Sequence, residues 1–127
     1  MKIGVIGAGT WGIALARMLT NSAHDVVVWS AIEAEIDELA SNRTHKNLAG
    51  MVIPEETKFT KNLQEAVADK DIILMAVPSP YVRVTTAKLA EFITDRQIIV
   101  DVAKGIEKDT LFIIYLLLAV IEVIYTA

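Results

Sequence analysis

The run Ile3-Gly4-Val5-Ile6-Gly7-Ala8-Gly9-Thr10-Trp11-Gly12 constrains the fold of this chain more than any other stretch. Apolar residues lead into three glycines spaced G-x-G-x-x-G, and a helical pattern follows at once. Each glycine has a separate physical task. Gly7 permits a tight turn, Gly9 lets a ligand approach bare backbone, and Gly12 lets the helix lie close to the strand. The first amides of that helix lack intrahelical partners and carry the positive end of its dipole, so they suit a pyrophosphate. A buried strand, this turn and then a helix is the context in which the motif signals dinucleotide binding.

The rest of the chain repeats the same alternation. Lys2–Ile6 reads as a strand and Thr10–Asn21 as a helix, with Trp11, Leu15, Met18 and Leu19 as its apolar stripe. Asp25–Trp29 reads as a second strand. Residues 31–41 read as an acidic amphipathic helix, burying Ile32, Ile36, Leu39 and Ala40 and exposing Glu33, Glu35, Asp37 and Glu38. Residues 42–56 form the one extended polar stretch. Lys58–Thr60 follows as a short strand, and Asn62 with Glu65 forms a capping box for a helix to Ala68. The apolar run 71–77 suits a strand covered on both faces. Pro78-Ser79-Pro80 ends it, residues 81–93 place Val82, Thr86, Leu89 and Ile93 on one helical face, and 97–102 forms a fifth strand.

Alternating strands and helices imply an α/β fold, a Rossmann-like doubly wound parallel sheet, here incomplete at its C-terminal edge. Ligands of such sheets sit beyond the carboxyl ends of the strands, where strand order reverses. Residues 7–12, the turn at Pro78 and Tyr81, and Lys104 are therefore expected to line one crevice. Lys104 reads equally as an anion contact or as a solvated strand-end lysine. Trp11 and Tyr81 read as walls of the site or as packing. His24 and His45 read as surface residues.

The second strand ends Val28-Trp29-Ser30-Ala31 with no carboxylate at its tip, where an acid usually grips the ribose. Glu33 comes slightly late, no arginine stands ready for a 2′-phosphate, and Ser30 suits either cofactor. NAD and NADP both remain open.

Composition narrows the classes. The 127 residues carry a net charge of −4, which leaves no basic footprint for nucleic acid. Cysteine is absent, so disulfides, thiolate catalysis and cysteine–zinc sites are excluded, in keeping with a cytoplasmic location. Glycines interrupt the N-terminal apolar stretch and argue against a signal peptide. Residues 111–121 are eleven unbroken apolar residues, short of the roughly 20 that a membrane span needs. No metal-ligand spacing stands out.

Taken together, Gly7-Ala8-Gly9-Thr10-Trp11-Gly12, Val28-Trp29-Ser30, Ile53-Pro54, Ala76-Val77-Pro78-Ser79 and Val102-Ala103-Lys104-Gly105-Ile106-Glu107 resemble the bacterial NAD(P)-dependent glycerol-3-phosphate dehydrogenase family. The likeness covers about residues 1–112. It implies an NAD or NADP cofactor and hydride transfer between sn-glycerol 3-phosphate and dihydroxyacetone phosphate, supplying phospholipid precursors. By matching positions it implies that Thr10 and Trp11 touch the cofactor and that Ala31 lies near the adenosine ribose. It likewise implies Tyr81 near the nicotinamide and Lys104 at both cofactor and substrate. Residues 113–127 form an apolar tail that departs from the family pattern. The family's helical substrate domain, with its proton-accepting lysine, is absent from this sequence, so no catalytic residue is assigned and the chain is expected to be inactive alone. An uncovered fifth strand, or the tail, is expected to drive self-association. The alternatives are a silent dinucleotide-binding or interaction module, or another dehydrogenase of this fold with an anionic substrate, which the Lys104-Gly105 run disfavours.

Overall fold

The computed structural model describes residues 1–103. Five parallel strands form one sheet in the order β3-β2-β1-β4-β5. They are β1 (Lys2–Ile6), β2 (Asp25–Trp29), β3 (Lys58–Thr60), β4 (Ile72–Met75) and β5 (Ile98–Asp101). The first three match the sequence reading, while the last two are trimmed at their ends. Ladder bonds from Asp71 N–H to the Lys2 carbonyl and from Ala76 N–H to the Ile6 carbonyl, each 2.8 Å, carry the β1–β4 pairing past the trimmed strand.

Helices α1 (Thr10–Asn21) and α2 (Glu33–Asn42) pack on one face, α3 (Leu63–Val67) and α4 (Val82–Leu89) on the other. On the first face Ile3, Val5, Val26 and Val28 meet Ile13, Ala16, Ile36 and Leu39. On the second, Ile6, Val27, Ile73 and Met75 meet Val67, Val82 and Leu89. The chain moves from one face to the other between the helices that follow β2 and β3, so the sheet is wound outward from β1 in both directions. The reversal of strand order falls between β1 and β4.

Several expectations about faces need correction. The buried side of α1 is Gly12, Ile13, Ala16 and Thr20. Trp11 and Met18, expected in its apolar stripe, are each 54 % exposed. Gly12 sets this phase, since its bare Cα must lie against the Gly7 carbonyl. On α2, Ile36 and Leu39 are buried as expected, but Ala40 is exposed, and Ile32 precedes the helix with 62 % exposure. The polar stretch 42–56 is tied down by Arg43, whose Nη1 donates to the Pro54 and Thr57 carbonyls. His45 is buried in this loop, contrary to a surface placement, with Nδ1 accepting from Asn47 N–H at 3.1 Å.

The cap of α3 is made as expected in one half only. Asn62 Oδ1 accepts from the Gln64 and Glu65 amides. Glu65 does not return to the Asn62 amide; it accepts from the Thr60 hydroxyl, and Thr60 Oγ1 receives the Asn62 N–H. In place of one helix over 81–93, a 3-10 turn (Ser79–Tyr81) precedes α4, which ends at Leu89; Val82, Thr86, Leu89 and Ile93 are all buried.

Candidate functional site

Because all five strands are parallel, their carboxyl ends lie along one edge of the sheet. There β1 breaks into the glycine turn. Gly7 takes φ +116°, a conformation that side chains rarely adopt, and its amide donates to the Trp29 carbonyl at 2.8 Å. An added Cβ would lie 2.7 Å from the Ala76 carbonyl group, so β4 also requires glycine here. Gly12 is required by the Gly7 carbonyl. Gly9 differs from both. It sits at φ −69°, ψ −179°, accessible to any residue, and an added Cβ would meet no atom within 4 Å. It faces open space.

Gly9 is also the N-cap of α1, and with no side chain it leaves the first helical amides uncapped. No acidic residue occupies the first turn. The positive end of α1 is thus unneutralised from within and opens beside the place that a Gly9 side chain would fill.

Two cavities meet at this turn, sharing Gly9, Val77 and Pro78. The first, about 420 Å³, is lined by Gly7, Ala8, Trp29, Ser30, Ala31, Ile32 and Glu35 on one side and by Tyr81, Val84, Thr85 and Lys88 on the other. Exposed Ile32, Tyr81 and Val84 give it apolar walls. The second, about 390 Å³, is lined by Thr10, Trp11, Ala76, Val102 and Ala103. Beside it, burial pushes the Asp101 carboxyl above its ordinary range, partly offset by the Ala103 amide donating to Oδ1 at 2.8 Å.

The predicted residues that the structure describes are therefore brought together at this turn. Gly7, Gly9, Ser30, Ala31, Pro78 and Tyr81 border the first cavity, and Gly9, Thr10, Trp11 and Pro78 the second; Gly12 packs behind the turn. Lys104 lies outside the described residues. Trp11 walls the crevice and does not staple the core.

Sequence reasoning missed Glu35. It was assigned to a solvated acidic face, yet it is half-buried and accepts a hydrogen bond from Ser30 Oγ at 2.6 Å. The signal was present: Glu35 lies four residues before Leu39, on the helical face that Leu39 buries. Lys88, which lines the same cavity from α4, was not singled out either.

A larger cavity of about 620 Å³ lies at the opposite edge of the sheet, lined by Met1, Lys2, Asp25, Lys70, Asp71 and Gln97 among others. Much of its polar equipment serves the fold. Asp25 pairs with Lys58, Asp71 accepts the Lys2 amide, and Lys70 and Gln97 donate to backbone carbonyls. Among the described residues, no group of three or more His, Asp or Glu is placed to hold a metal, and no helix is long and apolar enough to cross a membrane.

A doubly wound parallel sheet with a glycine turn at its switch point defines the Rossmann class of dehydrogenase domain. The family model described as NAD-dependent glycerol-3-phosphate dehydrogenase N-terminus matches residues 2–124, and the chain belongs to that family. Glycerol-3-phosphate dehydrogenase (NAD(P)+) 2 of Lactobacillus delbrueckii subsp. bulgaricus is 67% identical over 110 residues, covering 87% of this chain and 33% of that protein. The glycerol-3-phosphate dehydrogenase (NAD(P)+) of Fusobacterium nucleatum is 49% identical over 112 residues, again 87% and 33%. The crystal structure of glycerol-3-phosphate dehydrogenase from Coxiella burnetii superposes with a TM-score of 0.85 at 26% identity, covering 94% of this chain and 37% of the other. A UDP-D-ManNAc dehydrogenase of Pyrococcus horikoshii shares the fold alone, with a TM-score of 0.83 at 17% identity over 100% of this chain and 33% of the other. The chain spans about a third of the length of the curated relatives it matches.

Proposed function

We propose that this chain is the cofactor-binding part of an oxidoreductase interconverting sn-glycerol 3-phosphate and dihydroxyacetone phosphate. Its cofactor is NAD or NADP, held where β1 and β4 diverge. The observation that carries the reading is Gly9: no described residue requires a glycine there, and the space it leaves open adjoins the uncapped amides of α1. A pyrophosphate fits that space by charge and by steric allowance. Gly7, Gly9, Thr10, Trp11 and Gly12 would form its cradle. Ser30 and Ala31 would flank the adenosine, Pro78 would contact the cofactor, and Tyr81 would lie near the nicotinamide. Lys104 is proposed at the cofactor and substrate.

When bound, a nicotinamide cofactor supplies the hydride acceptor or donor. This chain's residues would orient it, with Ile32, Tyr81 and Val84 as apolar walls on one side of the crevice. No described residue is assigned the proton transfer that must accompany hydride movement.

Within this reading residues 1–112 form the dinucleotide-binding domain and the protein is cytoplasmic; the apolar tail 113–127 lies outside the described residues. Self-association is part of the proposal: among the described residues β5 is paired only with β4, and Ile98 is 61 % exposed. Calorimetric titration with NADH and with NADPH tests the assignment. Saturable heat with at least one is expected, and none with either would contradict it. Steady oxidation of glycerol 3-phosphate by the purified 127-residue chain would separately contradict its expected inactivity alone.

A further inference from the structure

Two carboxylates enter the first turn of α2, and they diverge. Glu33 turns outward, its Oε2 3.8 Å from Lys61 Nζ. Glu35 turns toward the 420 Å³ cavity and lines it. Its Oε2 accepts from Ser30 Oγ at 2.6 Å, and Ser30 Oγ in turn accepts the Ile32 amide at 3.1 Å. Ser30 is buried, so the serine acts as a fixed post against which the carboxylate is set. A carboxylate has about four lone-pair sites, and one serine proton leaves most of that capacity unused.

The location gives this arrangement its meaning. In sheets of this winding the adenosine ribose lies beyond the end of β2, gripped by an acid about 20 residues after the glycines. Here the strand tip offers Ser30, Ala31 and Ile32, and a carboxylate reaches the same place from the third residue of the following helix. Taking the crevice as the dinucleotide site of the preceding reading, we propose that Glu35 determines cofactor specificity. It accepts a hydrogen bond from a ribose 2′-hydroxyl and repels a 2′-phosphate, so the site selects NAD over NADP. A phosphate brought against a partly buried carboxylate meets like charge in a medium that screens it poorly. Lys88, the one cation among the described residues lining the cavity, stands on the α4 wall, across from Ser30 and Glu35.

Dissociation constants for NADH and NADPH, measured by calorimetry on the 127-residue chain, test this. NADH is expected to bind at least about tenfold more tightly, and Glu35→Gln to bring the two within about threefold, mainly by tightening NADPH. The same ratio is measured in Glu35→Ala, where the two constants are expected to converge likewise. That arm decides the matter if Glu35→Gln does not fold. Equal affinities, a preference for NADPH, or a preference unchanged in Glu35→Gln or Glu35→Ala would each overturn the role of Glu35 while leaving the dinucleotide site intact. A preference for NADPH that disappears in Lys88→Met would place the 2′-phosphate on the α4 wall and overturn it equally. Binding of neither dinucleotide overturns the site itself.

Discussion

A methyl group added at Gly12 overlaps the Gly7 carbonyl oxygen, whereas one added at Gly9 meets no atom within 4 Å. The two glycines therefore respond differently to the same change. Gly12→Ala pushes α1 away from β1 and is expected to cost about 1–3 kcal/mol, read as a lower urea midpoint. Gly9→Ala is expected to move stability by no more than about 0.5 kcal/mol, since its backbone is already in a region open to alanine and only a weak cap is lost. Thr86 gives a third residue-level expectation. It is buried on α4, and its Oγ1 has no hydrogen-bond partner. Thr86→Val removes an unpaired polar atom at nearly constant shape, so thermal unfolding should show stability unchanged or raised by about 1 kcal/mol. Equal damage from Gly9→Ala and Gly12→Ala would contradict the separation of their roles.

At the scale of elements, the sheet joins through surface pairs as well as through its core. Asp25 at the start of β2 meets Lys58 at the start of β3, 2.8 Å apart. The Lys58 ammonium, by hydrogen bonding, holds the Asp25 carboxyl below its ordinary value of 3.8. A depressed folded value means that the pair adds stability above the ordinary value and loses it as pH falls through the folded one. Exposure and screening keep the effect small, of order a few tenths of a kcal/mol. Asp25→Asn should therefore lower the unfolding midpoint slightly at pH 7 and leave it unchanged well below pH 3. The elements themselves were largely legible from sequence. The starts and ends of β1, β2, β3 and α1 follow from apolar runs bounded by glycine, proline or polar residues. Phase was less legible. Counting apolar residues put Trp11 and Met18 in the core, but the close approach at Gly12 rotates α1 so that Ile13 and Ala16 face the sheet. A contact between backbones leaves no hydrophobic residue to mark it. Glu35 escaped for a related reason: its charge marks a surface, while its helical position, shared with Leu39, turns it inward.

For the molecule as a whole, topology does what no single motif does. The order β3-β2-β1-β4-β5 brings residues about 70 positions apart, Gly9 and Pro78, to one crevice, with the ends of β2 and β5 on either side. Parallel strands had to be inferred before that convergence could be expected, and alternation of strand and helix supplied the inference. The flank of β5, unpaired among the described residues, belongs to this scale as well. If it mediates association, Ile98→Lys should shift the 127-residue chain toward monomer in sedimentation, whereas an unchanged profile would remove β5 from the interface. The dinucleotide reading as a whole stands on the open side of Gly9. Its most direct measurement is the affinity for reduced pyridine nucleotide of Gly9→Leu, taken beside the denaturant midpoint of the same variant. The expected result is a nearly unchanged midpoint with binding weakened at least about a hundredfold, because the side chain fills the space meant for phosphate. Undiminished binding by a folded Gly9→Leu chain would contradict the account.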